Sequence, residues 1–305
     1  MLRPWVMLTV LLTAGVAACG DAATSAEQPA MQQSPSATAQ RGQGSPYEIL
    51  GTQVWDVPDP VSGRDYQVFV ALPPSYADEP DRRYPVLYVT DADYAFPLLR
   101  QIARRVNLNE PVIEEFILVG LSYAVGEGGM ASRSRDYTPV AISARTGGGA
   151  AYQTYLKTQV LPFIEDRFRA DPARRILLGH SYGGLLGAQI LFSDPTLFDG
   201  YILGSPSFWF GDHAMMRAEA EYADAHTDLP ARVYMYIGQY EVPGGGRRNN
   251  RYDMVGDNTR FEARLASRNY PGLTLSSEVL NDEDHLTVAP RGFTHGLMAL
   301  LPARE

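Results

Sequence analysis

Ile176-Leu177-Leu178-Gly179-His180-Ser181-Tyr182-Gly183-Gly184 is an apolar run that breaks into glycines around a serine. A short continuous apolar run suits a strand buried on both faces. The small residues from Gly184 to Ile190 suit a helix that leaves at once. Gly179, Ser181 and Gly183 have the spacing G-x-S-x-G, and its strand–turn–helix context is that of a nucleophile elbow. Such a turn strains the serine backbone and lifts Oγ above the sheet, and a Cβ at either glycine would strike the neighbouring strand and helix. Ser181 is therefore the expected nucleophile. The helix start also places the Tyr182 N–H where it meets a developing oxyanion.

Working outward, further continuous apolar runs occur at Val86 to Val89, Phe116 to Val119, Tyr201 to Leu203 and Val233 to Ile237. Gln53 to Val57 and Tyr66 to Leu72 alternate instead, as an antiparallel edge hairpin would. Helices are predicted over Phe96 to Val106, Ala150 to Phe168, Gly183 to Phe192, Asp212 to Ala225, Asn258 to Arg268 and Val288 to Leu301. Strands alternating with helices predict an α/β fold. Together with the elbow they predict an α/β-hydrolase fold, a mostly parallel central sheet with helices on both faces. One domain is expected from about residue 47 to 305, and no internal repeat is visible.

Five histidines compete for the base. His180 precedes the nucleophile, so its side chain is expected to point away from the substrate side. His213 and His226 bracket a helix and suit a solvated surface. His295 lies inside the last helix and suits packing. His285 follows the strand-like Leu273 to Leu280, within an acidic loop before the final helix. Loops at the C-terminal edge of a sheet are where α/β folds assemble their sites, and Ser, acid, His is the α/β-hydrolase chain order. His285 is thus the expected general base. For the orienting acid, Glu241 directly follows Val233 to Tyr240 and is the first choice. Asp253, Asp257, Asp282 and Asp284 compete with it, and a dyad without a carboxylate is the remaining alternative.

The second oxyanion N–H is expected from the loop after the third strand, at Ala92 or its neighbour Asp91. Trp209 and Tyr94 belong to aromatic clusters that suit a pocket wall, with ordinary core filling as the alternative. Arg133 follows a Gly126 to Gly129 stretch read as a mobile loop, and a second group, Arg247-Arg248-Asn249-Asn250-Arg251, follows Glu241. On a protein of net charge −9, either group suits steering of an anionic substrate. Structural pairing of each arginine is the plainer reading.

Composition removes whole classes of chemistry. Lys157 is the only lysine, which rules out a Walker A lysine and nearly rules out Schiff-base catalysis. The single cysteine, Cys19, excludes an internal disulfide and a cysteine-clustered zinc site. The acidic balance speaks against nucleic acid.

Met1 to Ala18 has Arg3 followed by an uncharged run, the arrangement of an export signal. Val16-Ala17-Ala18-Cys19-Gly20 resembles a bacterial lipoprotein cleavage site, at which Cys19 would be acylated. Residues 20–46, rich in Ala, Gln, Ser, Pro and Gly, suit a disordered tether. The expectation is a cell-envelope lipoprotein facing the periplasm, held to the membrane only through its lipid.

Six stretches carry a resemblance to a known family: Tyr84 to Tyr88, Arg133 to Pro139, Gly179 to Gly184, Ser205-Pro206-Ser207 with Trp209, Gly238 to Glu241, and Asp284-His285. They resemble the esterase D family of α/β-hydrolases, in particular its siderophore (enterobactin- and bacillibactin-type) esterases. The resemblance implies a serine hydrolase of carboxylic esters that needs no metal or organic cofactor, with Ser181 and His285 at the matching motif positions. It leaves the acid open, because some siderophore esterases of this kind lack the usual carboxylate. Asp91-Ala92 also departs from the Asp-Gly common after the third strand. A carbohydrate-acyl or feruloyl esterase and a non-catalytic ligand-binding lipoprotein are the other functions compatible with these motifs.

Overall fold

The computed structural model describes residues 44, 46–245 and 251–303. The chain divides into residues 1–43, outside the described part, and a unit from Gly44 to Glu305. The export signal, Cys19 and the tether therefore lie outside the described residues, as do Arg247, Arg248, Asn249 and Asn250.

Eight strands form one sheet: β1 (Thr52–Asp56), β2 (Gln67–Ala71), β3 (Tyr84–Val89), β4 (Ile117–Leu121), β5 (Ala170–His180), β6 (Gly200–Gly204), β7 (Ala231–Gly238) and β8 (Leu273–Leu280). Their order is β1-β2-β4-β3-β5-β6-β7-β8. Only β2 runs against its neighbours, pairing antiparallel with both β1 and β4. From β4 to β8 every pairing is parallel. The helices are α1 (Ala92–Val106), α2 (Gly129–Asp136), α3 (Gly149–Tyr155), α4 (Leu161–Arg167), α5 (Tyr182–Ser193), α6 (Phe210–Ala225), α7 (Met254–Ser267) and α8 (Val288–Leu300).

Adjacent residues of one strand feed opposite cores, as the two-residue period of a strand requires. Leu177, Leu203 and Met235 join one cluster with Leu185, Leu186 and Phe261. Ile176, Leu178, Ile202 and Tyr236 join the other with Ala92, Phe96, Phe293 and Leu297. Burial on both faces is why these strands show no alternation in sequence. Helix α5 is buried from Gly183 to Phe192, consistent with its unbroken apolar run.

Three elements differ from expectation. Helix α1 begins at Ala92 rather than Phe96, and Pro97 falls inside it. Small side chains allow the early start: a Cβ at Gly120 on β4 would sit 2.9 Å from Ala92 Cβ and from the Phe96 ring, so strand and helix touch closely there. The long helix expected over Ala150 to Phe168 forms without a gap from Gly149 to Arg167, but with a π-helical turn at Leu156–Val160 before Pro162. Proline lacks the N–H that a continuous helix needs, and the ladder re-registers ahead of it. The loop expected at Gly126 to Gly129 is present over residues 126–128, but it passes into an unforeseen helix, α2, because Gly129 lets that helix start against the Tyr123 ring. Among the described residues no helix is long and apolar enough to cross a membrane.

Candidate active site

Ser181 sits between β5 and α5 with φ 62° and ψ −116°, a left-handed conformation that costs a non-glycine residue about 1–3 kcal/mol. Its neighbours hold it there. Ser181 N–H donates to the Gly204 carbonyl at 2.8 Å, and the Ser181 carbonyl accepts from Leu185 and Ser207. A Cβ at Gly179 would overlap the Gly183 carbonyl, and one at Gly183 would overlap Thr90 Oγ1. The two glycines of the motif are therefore steric requirements of this turn.

Glu241 lies just past the end of β7 and is fully buried. Its Oε1 accepts from Ser205 Oγ at 2.6 Å and from Gly238 N–H at 2.9 Å. Its Oε2 lies 2.7 Å from Nδ1 of His285, on the loop between β8 and α8. A carboxylate accepts, so Nδ1 carries the proton and Nε2 keeps its lone pair for base work. The competing acids are engaged elsewhere. Asp253 caps α7 through Gly256 N–H, Asp257 meets His213 and Arg260, and Asp282 accepts from the Tyr240 hydroxyl. Asp284 accepts from the N–H groups of Leu286 and Thr287 and so shapes the His285 loop.

Ser181 and His285 line one cavity of about 470 Å³. Ser181 Oγ lies 3.4 Å from Ser207 Oγ and is not hydrogen-bonded to the imidazole. Such contacts are commonly long until substrate tightens them. Tyr182 is the first residue of α5 and Ala92 the first of α1. A first-turn N–H has no carbonyl four residues back, so both donors start without an intrahelical acceptor. Asp91, just before Ala92, has φ 54°. A larger cleft of about 850 Å³ beside α1 shares none of these side chains.

The other sequence expectations divide. Tyr94 lines the cavity, as expected. Arg133 lines it too, but not as a free cation: Nε and Nη2 grip the buried Asp91 carboxylate at 2.8 and 3.2 Å, and the guanidinium lies over Tyr182. Burial alone would lower its proton affinity, and Asp91 more than reverses that. A paired guanidinium steers anions poorly, so Arg133 shapes a wall instead. Trp209 stands outside the cavity lining, stacked flat on Tyr252 at 4.0 Å. Tyr123, Met130 and Leu286 line the cavity and were missed. Tyr123 was findable, since it follows β4 at the sheet's C-terminal edge.

The histidines also need correction. His180 does not point away: it is buried and lines the cavity beside His285. It ends the buried part of β5, where its ring fills the space under the base's loop. His295 is no packing residue, since it reaches Glu278 at 2.7 Å and is about 40% exposed. His213 meets Asp257 at 3.0 Å, and His226 stacks on Tyr222.

Residues 60–277 match the family described as "Putative esterase". The chain belongs to this family. The ferri-bacillibactin esterase of Bacillus subtilis is 26% identical to it over 267 residues, covering 82% of this chain and 89% of that protein. The apo-salmochelin esterase of Escherichia coli O6:H1 is 32% identical over 176 residues, 52% of each chain. The solved structure of the BES protein from Bacillus cereus superposes with a TM-score of 0.75 at 24% identity, covering 87% of this chain and all of that one. The protein is an esterase with an α/β-hydrolase fold, close to the siderophore esterases.

Proposed function

We propose that this esterase cleaves siderophore-type carboxylic esters through an acyl-enzyme on Ser181. Ser181 Oγ attacks the ester carbonyl carbon while His285 Nε2 takes the hydroxyl proton. The Tyr182 and Ala92 N–H groups receive the negative oxygen. Collapse of the tetrahedral species expels the alcohol, which takes the proton back from His285. Water then attacks the acyl carbon with the same base, releasing the acid and restoring Ser181. Glu241 fixes the tautomer of His285 and stabilises its cation. The observation that carries this reading is the 2.7 Å His285–Glu241 contact in the loop that shares a cavity with the elbow serine.

Tyr94 and Tyr123 offer aromatic walls, and the exposed Met130 and Leu286 add apolar surface at the mouth. That lining suits an aromatic acyl arm better than a sugar, which needs many free polar partners. The relatives named for ferri-bacillibactin and salmochelin point the same way. A substrate panel tests it: kcat/KM for a catecholate trilactone should exceed that for acetylated or feruloylated oligosaccharides at least tenfold. Faster turnover of the sugars would assign the enzyme to carbohydrate esters.

We further infer that the enzyme is exported and tethered through an acylated Cys19, with residues 20–46 as a spacer; the support is the apolar run ending in Ala17-Ala18-Cys19. In a bacterial host, the full chain should incorporate an alkyne fatty acid and Cys19→Ser should not. Equal labelling of the two would remove the anchor.

A further inference from the structure

His180 takes no part in the proton transfers above, yet it is buried against the base. Its ring lies 4.8 Å from that of His285 and stacks, 17° from parallel, on Tyr236. Two contacts locate its proton. The His285 carbonyl oxygen can only accept, so Nε2, 2.8 Å away, carries the hydrogen. In the neutral ring Nδ1 then holds a lone pair, and the Tyr236 hydroxyl, 3.1 Å away, donates to it.

The groups facing this ring favour the neutral form. Tyr236 comes from β7, His285 from the loop before α8, and Arg133 from α2, its Nη2 reaching the His180 carbonyl at 3.4 Å. Asp91 lies behind Arg133 and Glu241 behind His285, each already paired. Burial, then the adjacent His285 ring, holds the His180 imidazole well below its usual range, and Arg133 adds to this.

Strand order explains why such a contact matters. The nucleophile leaves β5, whereas the base arrives from β8, with β6 and β7 between them. The loop at 281–287 must reach back across two strands to meet Ser181. We propose that His180 is a positioning residue: its Nε2–H ties the His285 backbone to the end of β5, so that base and nucleophile move as one unit. The Tyr236 hydroxyl, donating to Nδ1, satisfies the tautomer that this tie requires. The inference rests on the Ser181–His285 reading of the site, and adds to it a residue that acts through His285.

The test uses the full chain, p-nitrophenyl butyrate, and the variants His180→Leu, His180→Asn and His180→Gln. A glutamine amide N–H reaches about as far as Nε2, whereas asparagine is too short. His180→Leu should lower kcat about 100-fold, the order expected when a reacting group moves by about 1 Å, with KM within about threefold of wild type. The acid limb of its kcat profile should move to lower pH, because a loosened loop weakens the carboxylate contact that stabilises the imidazolium. His180→Gln should recover kcat to within about tenfold of wild type, and His180→Asn should not. A readout independent of activity follows from linkage. Below about pH 6.5 unfolded His180 takes up a proton that the folded ring refuses, so wild-type stability is lost as pH falls from there, and His180→Leu should lose less.

A folded His180→Leu with wild-type kcat and acid limb would overturn the proposal, as would equal losses in the glutamine and asparagine variants. If the leucine variant does not fold, the asparagine and glutamine pair decides, since only the longer amide reaches the carbonyl. Ser181→Ala and His285→Ala run alongside. Activity in either would sink the site reading itself; inactive controls beside unaffected His180 variants would remove only the tie.

Discussion

Ser181→Ala should lower kcat for p-nitrophenyl butyrate by about 10⁵–10⁶-fold, the loss seen when a triad serine is removed, while leaving the fold intact. The selectivity follows from the geometry. Ser181 Oγ has one hydrogen-bond contact, to Ser207 Oγ at 3.4 Å, and removing so long a contact costs well under about 1 kcal/mol. The backbone bonds that hold the turn, from Ser181 N–H to Gly204 and from Leu185 N–H to Ser181, do not involve the side chain. The thermal midpoint should therefore move by no more than about 2 °C, taking about 4 °C per kcal/mol as the upper end for a domain of this size. A fluorophosphonate probe should label the wild type and leave the variant unlabelled. Hydrolysis within tenfold of wild type would show that another group attacks the ester, and the elbow would then be only a tight turn.

The second large effect is expected at Glu241, and there the isosteric change should harm catalysis more than truncation does. In Glu241→Gln, Oε1 must still accept from Ser205 Oγ and Gly238 N–H, because both donors are fixed and buried. That forces the amide NH2 into the place of Oε2, facing His285 Nδ1. An NH2 group cannot accept, so the imidazole moves its proton to Nε2 and loses the lone pair that Ser181 needs. A fall in kcat of about 10⁴-fold is expected, with stability little changed. Glu241→Ala leaves the tautomer free and should lose less activity. It also strands the Ser205 hydroxyl and the Gly238 N–H in a dry interior, a cost of about 1–3 kcal/mol. Steady-state kinetics and urea unfolding on the pair separate the two effects. A glutamine variant retaining a tenth of wild-type kcat would mean that His285 is oriented by something other than this carboxylate.

Most of the sheet was visible in the sequence, its central strands because they are buried on both faces and the partly exposed edge strand β8 from its composition. Leu273–Leu280 matches the expected strand end to end, and β3, β5, β6 and β7 contain the apolar runs that announced them. What escaped depended on contacts from outside the local stretch. The glycines at 126, 128 and 129 hide the start of α2, which forms where Ser132 and Asp136 face a buried network that includes Tyr66. The change of register ahead of α4 could have been placed from Pro162 alone. Trp209 suits a pocket wall as part of the aromatic cluster Phe208-Trp209-Phe210, but the partner that covers it, Tyr252, stands more than forty residues later.

The sequence by itself determined the turn that holds Ser181, the strand and helix on either side of it, and the loop that carries His285. Those are local matters. Gly179 is demanded by the Gly183 backbone four residues on, and apolar runs bury wherever they fold; Gly183 is the exception, held to glycine by Thr90, just past β3. Only the tertiary structure decided which carboxylate serves His285, where the charge of Arg133 goes, and which way His180 faces. Glu241 and His285 are 44 residues apart, Arg133 and Asp91 are 42 apart, and His180 and the His285 carbonyl are 105 apart. Each of those hydrogen bonds is set by the spatial order of strands, which brings distant segments to one edge. A carboxylate or a guanidinium has the same chemistry at any position, so its neighbours in three dimensions, and not its place in the chain, assign its role.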